Sequence, residues 1–274
     1  MTTSGRYLTL TLTLTHPSNS RTPHPLASSS PYQAAALKER GCFAAAESSF
    51  TQNLASKQRV LGPDHADTCF AALCLVACWI DGQNKSRYSE AEALASRTYK
   101  ALRRDFGADH PSTLAAAMHQ GAVMHARGEH SSAVEVLSAT HAAQTQALGE
   151  SHPDALESAW RLGTLLGTAS TPATDGNSAV KLLRRTAELQ TTQLGEAHPR
   201  TLRTLLSLGE ALVAMAGGDG LGEALLAHAA EAAQLFRKAE AGMAALLEPE
   251  HPDLVKAKAL AARHADALPD LSSD

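Results

Sequence analysis

The sequence predicts an all-α solenoid of about five stacked helix pairs, closed by a C-terminal capping helix. Three observations predict it. One octapeptide pattern is written five times, as "LGPDHADT" from Leu61, "FGADHPST" from Phe106, "LGESHPDA" from Leu148, "LGEAHPRT" from Leu194 and "LEPEHPDL" from Leu247. Successive copies stand 45, 42, 46 and 53 residues apart, and self-similarity at such a period is the signature of stacked supersecondary units. Positions four, eight and eleven after the histidine read Leu114, Met118, Gly121, then Leu156, Trp160, Gly163, then Leu202, Leu206, Gly209, which is helical spacing. The composition agrees, since 44% apolar residues with only 4% aromatics describe a core of Ala and Leu.

The elements follow in order. Residues 1–30 contain no Asp or Glu, and "LTLTLTLTHP" alternates with period two. A lone strand there would be marginal, so the segment reads as disordered or as a targeting sequence. The solenoid is expected over 31–268, in units of about 31–64, 65–109, 110–151, 152–197 and 198–250, with the capping helix at 252–268 and a disordered tail at 269–274. The first unit has a short first helix, because only "PYQAAALKER" precedes Gly41.

Each unit reads as helix, turn, helix, punctuation. Counting back from the Leu or Phe that opens the octapeptide, an alanine lies 15 residues earlier in four copies: Ala46, Ala91, Ala133 and Ala179. In the fifth copy the matching alanine reads as Ala224, at 23 residues, which predicts a second helix longer by about two turns. The variable lengths fall in "DGQNKSRY", "TASTPATDGN" and "MAGGDGLG", rich in breakers and polar residues.

The octapeptide itself is a stop followed by a start. Its Gly suits a left-handed residue that ends a helix, and its Pro suits the first position of the next. Its His, turned away from helical dihedrals by that proline, suits the cap. One histidine per unit makes a ladder rather than a cluster, because packed helices stand about 8 to 10 Å apart. The glycines Gly121, Gly163 and Gly209 each cost a helix about 1 kcal/mol against alanine, so each predicts a close approach by the paired helix.

The remaining chemistry is sparse. A formal charge of -4 without long blocks of one sign leaves no footprint for nucleic acid or an anionic membrane. No apolar run reaches the roughly 20 residues of a membrane span. Cys42, Cys69, Cys74 and Cys78 form no CxxC pair, which fits packing in a reducing compartment, the cytoplasm, with an organelle as the alternative if 1–30 is a transit peptide. The chain carries no GxSxG, GxxxxGK[ST] or HExxH motif. It is expected to be no enzyme, to need no cofactor and no metal, and to have other proteins or peptides as partners. The Arg103–Arg104 and Arg184–Arg185 pairs read as solvated faces of second helices.

These intervals resemble tetratricopeptide repeats of the kinesin light chain type, with a unit of about 42 residues against about 34 for ordinary tetratricopeptide units. The resemblance covers Gly41 to Leu254 and implies a right-handed solenoid of tetratricopeptide-like pairs, its concave groove lined by the first helices. It implies a groove patch of Met118, His119, Glu157, Trp160, Arg161, Thr164, Arg203, Leu206, Ser207 and Glu210, in which Trp160 and Arg161 are residue types enriched at hot spots. The simpler expectation for these two is that Trp160 fills space on its apolar stripe and Arg161 pairs with Glu157. The family's asparagines eight and nine residues after the His are absent: Leu73 and Cys74, Met118 and His119, Trp160 and Arg161, Leu206 and Ser207 stand there. No heptad coiled coil precedes Pro31, so no motor heavy chain is expected. The function expected is a scaffold that binds an extended peptide or partner protein; the alternative is a repeat module of a larger signalling or enzyme assembly.

Overall fold

The computed structural model describes residues 31–168, 176–216 and 223–265. The segment 1–30, the tail 269–274 and residues 266–268 of the expected capping helix lie outside the described residues, as do parts of the fourth and fifth inter-helix loops. Among the described residues only helices form. They are α1 (Pro31–Glu39), α2 (Phe43–Leu61), α3 (Ala66–Asp81), α4 (Tyr88–Phe106), α5 (Pro111–Ala126), α6 (His130–Leu148), α7 (Pro153–Leu166), α8 (Gly176–Leu194), α9 (Pro199–Ala216), α10 (Glu223–Ala244) and α11 (Pro252–Arg263), with a short 3-10 turn at Lys85–Arg87. Each helix packs on the next, and α1, α3, α5, α7 and α9 also touch in succession. First helices therefore form the inner row and second helices the outer one.

The histidines are helix caps. Nδ1 of His65, His110, His152, His198 and His251 accepts the backbone N–H two residues on, at 3.1, 3.2, 3.2, 3.2 and 3.1 Å. This satisfies one of the donors that a helix start leaves orphaned. His65 caps α3 with the same extended backbone although Ala66, not proline, follows it. The imidazole, then, makes the cap, and proline only favours it.

The glycines that end the second helices differ from the expected left-handed cap. Gly62, Gly107 and Gly149 have φ of 87, 90 and 89° with ψ of 163, 172 and 153°, an extended conformation that belongs to glycine alone. The chain leaves each helix straight, after one last N–H bond to the carbonyl four residues back.

The inner glycines do mark close approaches. A Cβ on Gly121 would lie 2.7 Å from Leu137, on Gly163 2.6 Å from Leu183, and on Gly209 2.5 Å from Phe236. Each partner stands four residues after an alanine that is wholly buried: Ala133, Ala179 and Ala232. Ala232 precedes Leu247 by 15 residues, so the fifth copy keeps the same interval and the alanine equivalent to the other four is Ala232, not Ala224. In the second unit the sizes are exchanged: Val76 stands where the glycine would be and Ala95 where the large partner would be, both wholly buried in one cluster.

This register also relocates the extra length of the fifth unit. The helices α2, α4, α6 and α8 each have 19 residues, and α10 has 22. It starts nine residues before its marker alanine, where the others start three before, but it ends at Ala244, three residues short of the octapeptide. The expected two-turn extension is thus an earlier start offset by an early stop. The early stop leaves a turn at 245–247, closed by the Leu246 and Leu247 amides on the Met243 carbonyl.

Candidate functional site

The inner row curves tightly enough for its two ends to meet. Arg40, after α1, pairs with Glu248 at 2.6 Å, and the rings of Phe43 and His251 lie 5.9 Å apart. Between the ends lies a cavity of about 250 Å³ whose walls come from every unit. Lys38, Glu39 and Phe43 face it from the first, Asp81 from the second, His125 from the third, Trp160, Arg161 and Thr164 from the fourth, Arg200 and Arg203 from the fifth, and His251 and Asp253 from the start of α11.

A chain of alternating charges crosses this wall. Lys38 meets Asp81 at 2.7 Å, Asp81 meets Arg161 at 3.3 Å, Arg161 meets Glu157 at 2.9 Å, and Glu157 meets Arg203 at 3.0 Å. The Arg203 guanidinium lies 3.7 Å from the centroid of the Trp160 ring, a cation–π arrangement. The indole Nε1–H donates to Ser207 Oγ at 3.0 Å. Burial would raise the two carboxyls, but the neighbouring cations outweigh it. Lys38, Arg161 and Arg203 hold Asp81 well below the usual carboxylate range, and Arg203, Arg161 and Arg200 hold Glu157 at about 2. The reverse competition at Lys38, burial against Asp81, leaves its ammonium above the ordinary lysine value.

Three buried donors in this wall have no hydrogen-bond partner: Nε of Arg161, Nε of Arg203 and the Thr164 hydroxyl. Arg161 is 7% exposed, so this is an unfilled donor in a nearly dry place, and such groups are rare enough to need an explanation. His119, which does not line the cavity, also has an unpartnered buried Nδ1, and burial, with Arg161 nearby, pushes its imidazole down to about 4.

Of the residues expected in the groove, Met118, His119, Glu157, Leu206, Ser207 and Glu210 do not line the cavity. Met118 and Leu206 are buried in the helix-packing clusters, because position eight shares the stripe of positions four and eleven that faces neighbouring helices. Trp160 occupies the same position, but its bulk carries the indole past the stripe, so that it touches both core and cavity. Glu210 points to the cap, pairing with Lys256 of α11 at 2.7 Å. Arg161 pairs with Glu157 as its spacing predicted and with Asp81 besides. Lys38, Asp81, Arg200 and Asp253 were not legible as site residues. One signal existed for Asp81, the single charge that ends the apolar run "FAALCLVACWID".

Among the described residues no group of three His, Cys, Asp or Glu is placed to hold a metal ion. Burial pushes the thiols of Cys74 and Cys78 up to about 11 and about 12, which keeps them protonated at neutral pH. Among the described residues no helix is long and apolar enough to cross a membrane.

A family model described as tetratricopeptide repeat matches residues 34–67, from within α1 to the first turn of α3. No curated protein matches the sequence significantly. Among solved structures, the nearly identical TPR-like repeats of a Podosopora anserina protein assigned as a kinesin light chain give a TM-score of 0.55 at 24% identity, covering 74% of this chain and 88% of that one. A single-substitution variant of the same repeats gives 0.55 at 24% identity, with 74% and 87% covered. BtubC (BKLC) from P. vanneervenii gives 0.48 at 15% identity, with 85% and 91% covered. The fold is a tetratricopeptide-type α-solenoid of the kind seen in the Podosopora anserina repeats.

Proposed function

We propose that the protein is a non-enzymatic scaffold that binds an extended peptide segment of a partner protein in the concave groove. Stacked helix pairs of this type are general protein-interaction modules, and their extended inner face is the usual place of contact. The observation that carries the reading is the set of unpartnered buried donors, Arg161 Nε, Arg203 Nε and Thr164 Oγ1, lining the cavity where all five units converge. A peptide brings carbonyl acceptors to such groups at every residue. The indole of Trp160 beside them offers a flat apolar foothold of the kind that concentrates binding energy.

The test is a displayed peptide library panned against the protein and against a Trp160→Ala, Arg203→Glu variant whose helicity is intact. Peptides selected by the protein and weakened about tenfold or more in the variant, the loss typical of a hot-spot truncation, would support the groove. Peptides bound equally by both would move the contact to another face.

A further inference from the structure

We propose that the two ends of the array form a clasp that keeps the groove narrow, and that a peptide enters only when the clasp opens. What enters rests on the groove reading above; the clasp itself does not.

With the two ends in contact, the half-open cavity between them is too small for an extended peptide. It holds about 250 Å³, below the roughly 300 to 1,000 Å³ of sites that enclose a drug-sized molecule, whereas an extended chain advances about 3.3 Å with every residue. Its walls include Lys38, Glu39 and Phe43 from one end of the array and Leu247, His251 and Asp253 from the other. Parting the ends widens it on one side.

The contact between the ends is built for closeness but not for strength. Gly41 has φ of 87°, and a Cβ placed on it would lie 2.8 Å from His251 Cδ2, so the turn after α1 sits on the imidazole only because it has no side chain. Glu248 and His251 follow the turn after α10 and meet the one after α1. Yet the ion pair that completes the contact, Arg40 with Glu248, is 63% and 46% exposed at its two side chains, a class of pair that is weak and screened by salt. No helix of the first unit packs lengthwise on α10 or α11 among the described residues. Each end is held instead by whole-helix packing within its own stack, which opening does not disturb.

Two variants test the clasp in opposite directions. Arg40→Glu sets like charges against each other at an exposed site. Gly41→Cys with His251→Cys, in a Cys42→Ser background, locks it: the Gly41 Cβ position is 3.3 Å from His251 Cβ, close to the roughly 3.5 to 4.5 Å of a disulfide. Acrylamide quenching of Trp160 is the probe, since the other tryptophan, Trp79, is buried. The expectation is about twofold stronger quenching in Arg40→Glu, a rise in the unmodified protein between low and high salt, and weak quenching in the oxidised double cysteine that reductant restores. Identical quenching in released, locked and reduced forms would overturn the clasp. Library peptides that bind the reduced but not the oxidised protein would support gating, and equal binding to both would overturn it. If no peptide binds any form while quenching still follows the lock, the groove reading fails and the clasp stands.

Discussion

Arg161 and Asp81 stand eighty positions apart in the chain and 3.3 Å apart in space. The same Arg161 nitrogen lies 2.9 Å from Glu157, so one guanidinium joins the fourth unit to the second across the third. Neither acid depends on it alone, because Asp81 also holds Lys38 and Glu157 also holds Arg203. Ions taken from water lose several kcal/mol each, and only good pairing offsets the loss. Five charges in alternating sequence achieve that pairing with no cluster of one sign.

The acid at the centre should therefore matter more than the base. Asp81→Ala strips Lys38 of its paired carboxylate and leaves it facing Arg161, which keeps only Glu157, and is expected to cost about 3 to 5 kcal/mol, as for other broken buried pairs. Arg161→Met leaves both acids with a partner and should cost clearly less. Urea unfolding of the two variants measures the difference, and an unchanged midpoint for Asp81→Ala would remove the network from any account of stability.

Acid should weaken the fold in two stages. Burial pushes His119 and His125 down to about 4, with Arg161 adding to the first and His130 to the second. Free histidine titrates near about 6.5, so between there and about pH 4 the unfolded chain binds more protons and stability falls as pH falls. Below about pH 4 the carboxyls take over. Glu157, held at about 2, and Asp81, held low by Lys38, Arg161 and Arg203, contribute stability that is present above the unfolded carboxyl values and lost as pH drops toward the folded ones. Urea midpoints across this range should show both slopes. His119→Gln with His125→Gln should make the upper one shallower, His141, His198 and His251 carrying the rest through their burial, and leave the lower.

The exchange of sizes between Val76 with Ala95 and Gly163 with Leu183 can be reproduced by substitution. Gly163→Val forces a branched side chain toward Leu183, already 2.6 Å from a Cβ at that position, and overpacking of this sort costs about 1 to 3 kcal/mol. Adding Leu183→Ala copies the second unit and should recover part of the loss. His152→Ala removes only a cap and should cost about 1 kcal/mol. Thermal melts rank the three, and a double variant no better than Gly163→Val alone would contradict the pairing of positions 163 and 183 with 76 and 95.

What was legible in the sequence is what neighbouring helices impose on each other. A cap needs one imidazole two residues from an amide, and a close approach needs one glycine opposite one large side chain. Both leave marks at fixed intervals. The error at Ala224 came from matching the start of a helix whose start is extended, while the packed alanine, Ala232, keeps its distance from the end. The joining of Lys38 and Asp81 to Arg161 left no such mark, since it depends on the summed curvature of several units, to which each contributes a small rotation that no single interval records.

The meeting of Arg40 with Glu248 also depends on how many units stand between them. In an open solenoid a helix pair can be duplicated or lost with little consequence beyond length, because every contact runs to an adjacent unit. Here Arg40 finds Glu248 only after a set number of turns of the stack, so one copy more or fewer would carry the two residues past each other while leaving every local packing contact intact. The chain thus tallies its own repeats, and a gene duplication that any single unit would tolerate is registered at the seam.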